Sequence, residues 1–221
     1  MSCRSGSGFT VVVLLGSLFL PAAATAENYN AGAVGFHYRQ LPWGEYAGDF
    51  QASGRCLSVS PMPSETEQVV GGQYVTVADT TTAFWYAAAL EADQTVDLAL
   101  LWVRRAGYII PQGDYPVDAL GRTVMFVFVD GITDFTPPVD PVGFNPAEWL
   151  DGLACEHLFL AIAGTVHIQM AGLRGFDGTF DGTALDTALM LAEFSNGVFE
   201  LEGVCIANET ANWGSVKAAF R

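Results

Sequence analysis

The chain has 221 residues, 51% of them hydrophobic and 12% aromatic, with 24 acidic residues against nine basic ones and a formal net charge of −15. So much apolar content rules out disorder over most of the length. A surface so poor in Lys and Arg argues against nucleic acid and anionic membranes as partners, since both are held through clustered cations.

Residues 1–26 have the zones of a cleavable signal peptide: Arg4 among small polar residues, the apolar run 9–20, then Pro21 and the small residues ending Ala24-Thr25-Ala26. The apolar run is about 12 residues, short of the roughly 20 that span a bilayer, and Cys3 precedes it, so the mature start lacks a cysteine for lipid attachment. The expectation is a soluble product, secreted to the periplasm or the extracellular space, with no transmembrane segment after cleavage. Residues 27–221 then form a single domain. Loss of Arg4 leaves eight basic residues against 24 acidic, a net charge of about −16, which reads first as solubility.

Along the mature segment, period-two alternation between turn signals predicts strands at 31–38, 48–58, 73–78, 83–89, 95–103 and 122–129. In the fifth of these, Val96, Leu98, Leu100 and Trp102 are expected to face a core and Asp97 to point to water. Gly71-Gly72, Gly113-Asp114 and Asp130-Gly131 read as chain reversals, because glycine takes positive φ without steric cost. The proline-rich stretch 136–144 resists regular structure; it reads as a long crossover within one domain, with a linker between two small domains as the alternative. Asn145-Pro146-Ala147-Glu148 then opens a short helix, with an N-cap, proline at the first turn and Gly152 to stop it.

The second half predicts strands at 158–163, 165–171, 175–182, 187–194, 198–206 and 214–220. Hairpins are expected at Ala163-Gly164 and at Asn196-Gly197, the latter a pair suited to a two-residue type I′ turn. Many short strands with closely spaced turns predict an all-β fold, an antiparallel β-sandwich of jelly-roll-like or Ig-like type with one short helix.

Ala163-Gly164-Thr165-Val166, Phe176-Asp177-Gly178-Thr179-Phe180-Asp181-Gly182-Thr183-Ala184 and Asn196-Gly197-Val198-Phe199 together resemble the closing strands of secreted bacterial β-sandwich domains of uncharacterised function. The resemblance covers residues 158–204 and implies an envelope-associated sandwich. It transfers no site residues.

Chemistry-bearing motifs are few. Cys56, Cys155 and Cys205 remain after cleavage, and an oxidising compartment predicts one disulfide and one leftover thiol, with all three pairings open. Their spacing forms no metal knuckle. Cys155-Glu156-His157 imitates a nucleophile beside a base, but a structural cysteine at a strand start is the expectation. The sequence holds neither a Gly-x-Ser-x-Gly elbow nor His-Glu-x-x-His, and its histidines are His37, His157 and His167, the last expected on the solvent face. A glycosidase needs only two carboxylates about 5–10 Å apart, and sequence cannot choose the pair. Asp177-Gly178, Asp181-Gly182 and Asp186 suggest an oxygen-rich loop for calcium, in an order unlike an EF-hand. Trp43, Trp85, Trp102, Trp149 and Trp213, with Tyr46, Tyr74, Tyr86, Tyr108 and Tyr115, invite a carbohydrate-binding reading, Trp43 being the best placed for exposure. A membrane barrel is disfavoured because several strand runs fall below the 9–11 residues needed to span.

No catalytic residues and no cofactor are assigned, with calcium as the remaining possibility. The expected function is that of an exported non-catalytic binding, adhesion or structural protein contacting a protein or polysaccharide surface. The alternative is a carbohydrate-active enzyme or carbohydrate-binding module.

Overall fold

The computed structural model describes residues 25–42, 46–54, 68–118, 123–133, 135, 150, 152–186 and 188–203, with backbone alone at 25–28 and 30. They form ten strands: β1 (Thr25–Leu41), β2 (Ala47–Gly54), β3 (Gln68–Val77), β4 (Thr80–Leu90), β5 (Val96–Ala106), β6 (Gly113–Pro116), β7 (Val124–Ile132), β8 (His157–Gly172), β9 (Gly175–Asp186) and β10 (Leu191–Gly203). The expected helix lies outside the described residues apart from Leu150 and Gly152, as do the strand at 214–220 and the signal segment up to residue 24. β1 begins at Thr25, two residues ahead of the expected mature start at Glu27.

The all-β, antiparallel expectation holds, but the sandwich gives way to a different closure. Pairings run β10-β9-β8-β7-β5-β4-β3-β1, and β1 pairs back onto β10, so one sheet curls into a barrel-like ring. Two long strands make this possible by changing neighbours part-way. β1 pairs β3 through Thr25–Tyr29 and β2 through Gly32–Arg39, while its other edge follows β10 from Tyr29 to Leu41. β8 pairs β7 through His157–Leu160 and β6 through Thr165–Ile168, with β9 along its other edge. A strand shared between successive neighbours carries the sheet round a corner. Closure removes the exposed edges that an open sheet would have to protect.

The expected hairpins at Ala163-Gly164 and Asn196-Gly197 are corrected: both lie inside continuous strands. β8 runs straight through Gly164 (φ 144°) with an extra residue between Ala161 and Ala163. β10 runs through Asn196 (φ 54°), with a register shift between Phe194 and Gly197 and the Asn196 N–H donating to Asp181 Oδ1 at 2.9 Å. Asp130-Gly131, expected as a reversal, is a third case. Those two residues face the single Asp97 between the pairs Leu98↔Val129 and Val96↔Ile132, with Gly131 at φ 70°. Positive φ serves a β-bulge as well as a turn, and bulges bend long strands into a barrel. Gly71-Gly72 likewise sits mid-strand in β3, with the Tyr86 ring lying over Gly71. The turns that do reverse the chain include Ala78-Asp79 between β3 and β4 and Leu173-Arg174 between β8 and β9.

Eight strands enclose an interior just wide enough for side chains to fill, and here the filling is aromatic. Phe36 sits at the centre, with ring centroids at 4.9 Å from Phe50, 5.3 Å from Phe128, 5.5 Å from both Phe180 and Phe194, and 5.6 Å from Phe126. Trp85, Phe159, Phe176 and Phe199 extend the same buried cluster. On β9 and β10 the rings and glycines pair reciprocally: Phe199 lies opposite Gly178, and Phe180 opposite Gly197. A Cβ at Gly178 would come within 2.7 Å of the Phe199 ring, and one at Gly197 within 2.6 Å of the Phe180 ring. The Gly-x-Phe spacing in the sequence is therefore the print of rings laid over bare backbone.

The wall is apolar on both faces along β4, β5 and β7. Their outward residues Ala88, Leu98, Leu100, Met125, Val127 and Val129 pack with Cys155, Leu150 and Leu153. The expectation for β5 holds for Val96, Leu98, Leu100 and Trp102, which pack in a buried cluster, and fails for Asp97. That cluster is the outer one, while Ala99, Leu101 and Val103 fill the barrel. Asp97, expected in water, is only 4% exposed. Around the rest of the wall many outward positions are polar, including Arg39, Asp49, Gln51, Thr165, Asp181, Glu200 and Glu202, with Ile162, Met170, Leu191 and Val198 exposed among them. No helix among the described residues is long and apolar enough to cross a membrane.

Candidate functional site

The antiparallel order brings the ends of β1, β4, β7 and β9 and the starts of β2, β5 and β8 to one rim of the barrel. There the inward positions change from hydrocarbon to titratable groups: Tyr38 on β1, Tyr46 just before β2, Asp97 on β5, Asp130 on β7, His157 on β8 and Asp186 on β9. Each continues the every-second-residue series of the aromatic core, Asp130 after Phe126 and Phe128, Tyr38 after Val34 and Phe36.

Asp97 and Asp130 are the centre of this rim. The β7 bulge sets Asp130 and Gly131 against Asp97, and the Gly131 N–H donates to Asp97 Oδ1 at 3.3 Å. Both residues continue the inward series of neighbouring strands, so their carboxyl groups lie on the same inner face across the bulge. Burial, and then the charge of Asp130, raise Asp97 from the ordinary 3.8 to about 8. A second carboxylate on the same inner face disfavours the charged form of Asp97, as burial does.

The tyrosines close over this pair. Tyr38 and Tyr46 have ring centroids 5.1 Å apart, and Tyr46 stacks on Phe159 at 5.5 Å. Burial and the neighbouring aspartates push Tyr38 up to about 12, and burial with the Asp130 charge raises Tyr46 further, so both phenols stay neutral. The Tyr46 hydroxyl is sealed from solvent without a partner of full hydrogen-bonding geometry, its polar neighbours being Asp130 and Tyr38.

His157 and Asp186 stand beside them. His157 Nδ1 lies 3.4 Å from Asp186 Oδ2, with the imidazole 30% exposed and the carboxylate 1%. The ring rests on Tyr46 at 5.1 Å. Asp186 also shapes the chain, because its Oδ1 accepts the N–H groups of Ala188 and Met190 at 2.7 and 2.8 Å and so fixes the turn into β10.

The residues singled out from the sequence scatter over the molecule. Asp177, Asp181 and Asp186 belong to strand β9 rather than a loop, the first two facing outward and the third inward. Among the described residues no group of three or more His, Cys, Asp and Glu is placed to hold a metal ion. Cys155 and His157 lie on opposite sides of the wall, the cysteine side chain in the outer cluster and the imidazole at the inner rim. His37 and His167 are half-exposed on the outer face, paired with Asp49 at 3.0 Å and Asp114 at 2.6 Å. Trp85, Tyr74 and Tyr115 are core residues, Trp102 and Tyr86 pack in the outer cluster, and Tyr108 is 72% exposed. Trp43, Trp149, Trp213, Cys56 and Cys205 lie outside the described residues.

Sequence reasoning passes over Asp97 and Asp130, although one signal marks them. Each is a lone carboxylate inside an otherwise apolar run, Val96-Asp97-Leu98 and Val129-Asp130-Gly131, and a charge in a doubly buried strand needs a partner. The sequence matches no protein-family model, and comparison with curated proteins and with solved structures gives no match.

Proposed function

We propose that the mature protein is an exported, non-catalytic binding, adhesion or structural component of the cell envelope or extracellular space, and that it meets its partner through the outer wall and rims of the barrel. The observation that carries this reading is the filled interior. The ring cluster around Phe36 occupies the space where a ligand-carrying barrel keeps its lumen, and the cavity between Phe126, Val166, Phe180 and Phe194 measures about 10 Å³. That is the lower limit for one water molecule, far below the ≈ 300–1,000 Å³ of ordinary ligand sites.

The test is a panel of polysaccharides and chromogenic glycosides, with and without calcium. Turnover should not exceed that of a boiled control. Reproducible cleavage abolished by Asp130→Asn would promote the carbohydrate-active alternative.

Export carries a second expectation, for the thiols. Denatured without reductant, the mature protein should show one reactive thiol, rising to three on reduction, as one bridge among Cys56, Cys155 and Cys205 requires. Three thiols before reduction would remove both the bridge and this support for an oxidising compartment.

A further inference from the structure

The titratable rim stands apart from the outer wall and has its own logic. We propose that it is a proton-operated latch: Asp97 and Asp130 hold one proton between them inside the barrel end, and its loss releases the Tyr38–Tyr46 cover and the β7 bulge from the aromatic core. The geometry supplies each part. The β7 bulge sets Asp130 and Gly131 against Asp97, and the Gly131 N–H holds the Asp97 carboxyl at the bulge. The cover sits at the same rim through Tyr46, whose ring bridges Tyr38, His157 and Phe159 and whose buried hydroxyl has Asp130 among its neighbours.

Among the described residues, the groups facing the pair offer no compensation for a second charge, and the Glu156 side chain packed against Gly131 adds another carboxylate. Glu91 at the end of β4 adds a negative charge near Asp97, and Tyr38 from β1 and Tyr46 ahead of β2 are neutral phenols. From β8 comes His157, already engaged by Asp186 of β9. Among the described residues, Arg39 is held by Glu193 on the outer face and Arg105 stacks on Tyr115, so neither serves this pair. No described cation forms an ion pair with either carboxyl, so a proton is what keeps the rim closed.

Hydrogen exchange of the mature protein between pH 5 and pH 9, corrected for intrinsic base catalysis, reads this directly. Above pH 8 the amides at 46–50 and 128–132 should lose at least tenfold of their protection, while those at 176–180, remote from this rim on β9, keep theirs. Asp97→Asn should hold protection at the rim across the range, and Asp130→Asn serves if the first variant fails to fold. Rim and distal amides changing in parallel would overturn the latch. A carboxyl carbon NMR titration of the wild type probes the same proton without any variant. One proton of the pair leaving far above the ordinary carboxylate range supports the proposal, and both leaving below pH 5 refutes it.

Discussion

Phe36→Ala is expected to cost about 3–5 kcal/mol of stability, the range for removing a buried aromatic ring, read as a lower urea midpoint with an unchanged slope. Phe36 is 4% exposed and lies within ring-contact distance of Phe50, Phe126, Phe128, Phe180 and Phe194, contributed by four other strands. The hole cannot collapse easily, because a closed ring of strands does not close in on one missing side chain. Tyr108→Ala provides the control: at 72% exposure it should shift stability by no more than about 0.5 kcal/mol. A loss under about 1 kcal/mol for Phe36→Ala would mean that the rings do not pack about this residue.

The strand content of this protein is legible in its sequence because half-buried strands alternate. β2 and β9 alternate polar and apolar residues, and the sequence places them nearly where they lie, while β1 is read only over 31–38 and β10 is cut in two. β4, β5 and β7 are legible as strands but not as oriented strands. In Leu98-Ala99-Leu100-Leu101-Trp102-Val103 both faces are apolar because both are covered, one by the barrel core and one by the segment around Leu153 and Cys155. With no polar face to mark the outside, the pattern cannot choose a side, and Asp97 turns inward where alternation alone points it to water.

Bulges and reversals share their local chemistry, and this is why local signals favour a sandwich over a ring. Gly164, Asn196 and Gly131 take the positive φ that a hairpin also uses, so each cuts one strand into two in a reading by local signals. Short strands suggest a sandwich. What separates the two outcomes is the partner across the ladder, such as Asp181 accepting from the Asn196 N–H, and that contact joins residues 15 positions apart. The aromatic content is visible in the sequence, but its concentration around Phe36 depends on closure. The candidate site is hidden for the same reason, since six residues from six strands or strand ends meet only when the sheet returns to β1.

Stability of the wild type is expected to fall as pH rises from 4 to 8, and Asp97→Asn should flatten that fall. The sign follows from proton counts. Asp97 holds its proton up to about pH 8 in the folded state but releases it near 3.8 when exposed, so within this window the folded state binds more protons and loses stability with each unit of pH. The slope attached to one such group is about 1.4 kcal/mol per pH unit at most, which makes the whole effect several kcal/mol. An asparagine keeps the carbonyl oxygen that accepts the Gly131 N–H and carries no charge at any pH. The variant should therefore match the wild type near pH 4 and exceed it by several kcal/mol at pH 8. Other carboxylates also ionise in this range and the chain is strongly acidic, so the decisive quantity is the difference between the two proteins at each pH. Urea titrations at four or five pH values supply it. Parallel curves would show that Asp97 is ionised in the folded barrel, and the shared proton at the rim would have to be abandoned.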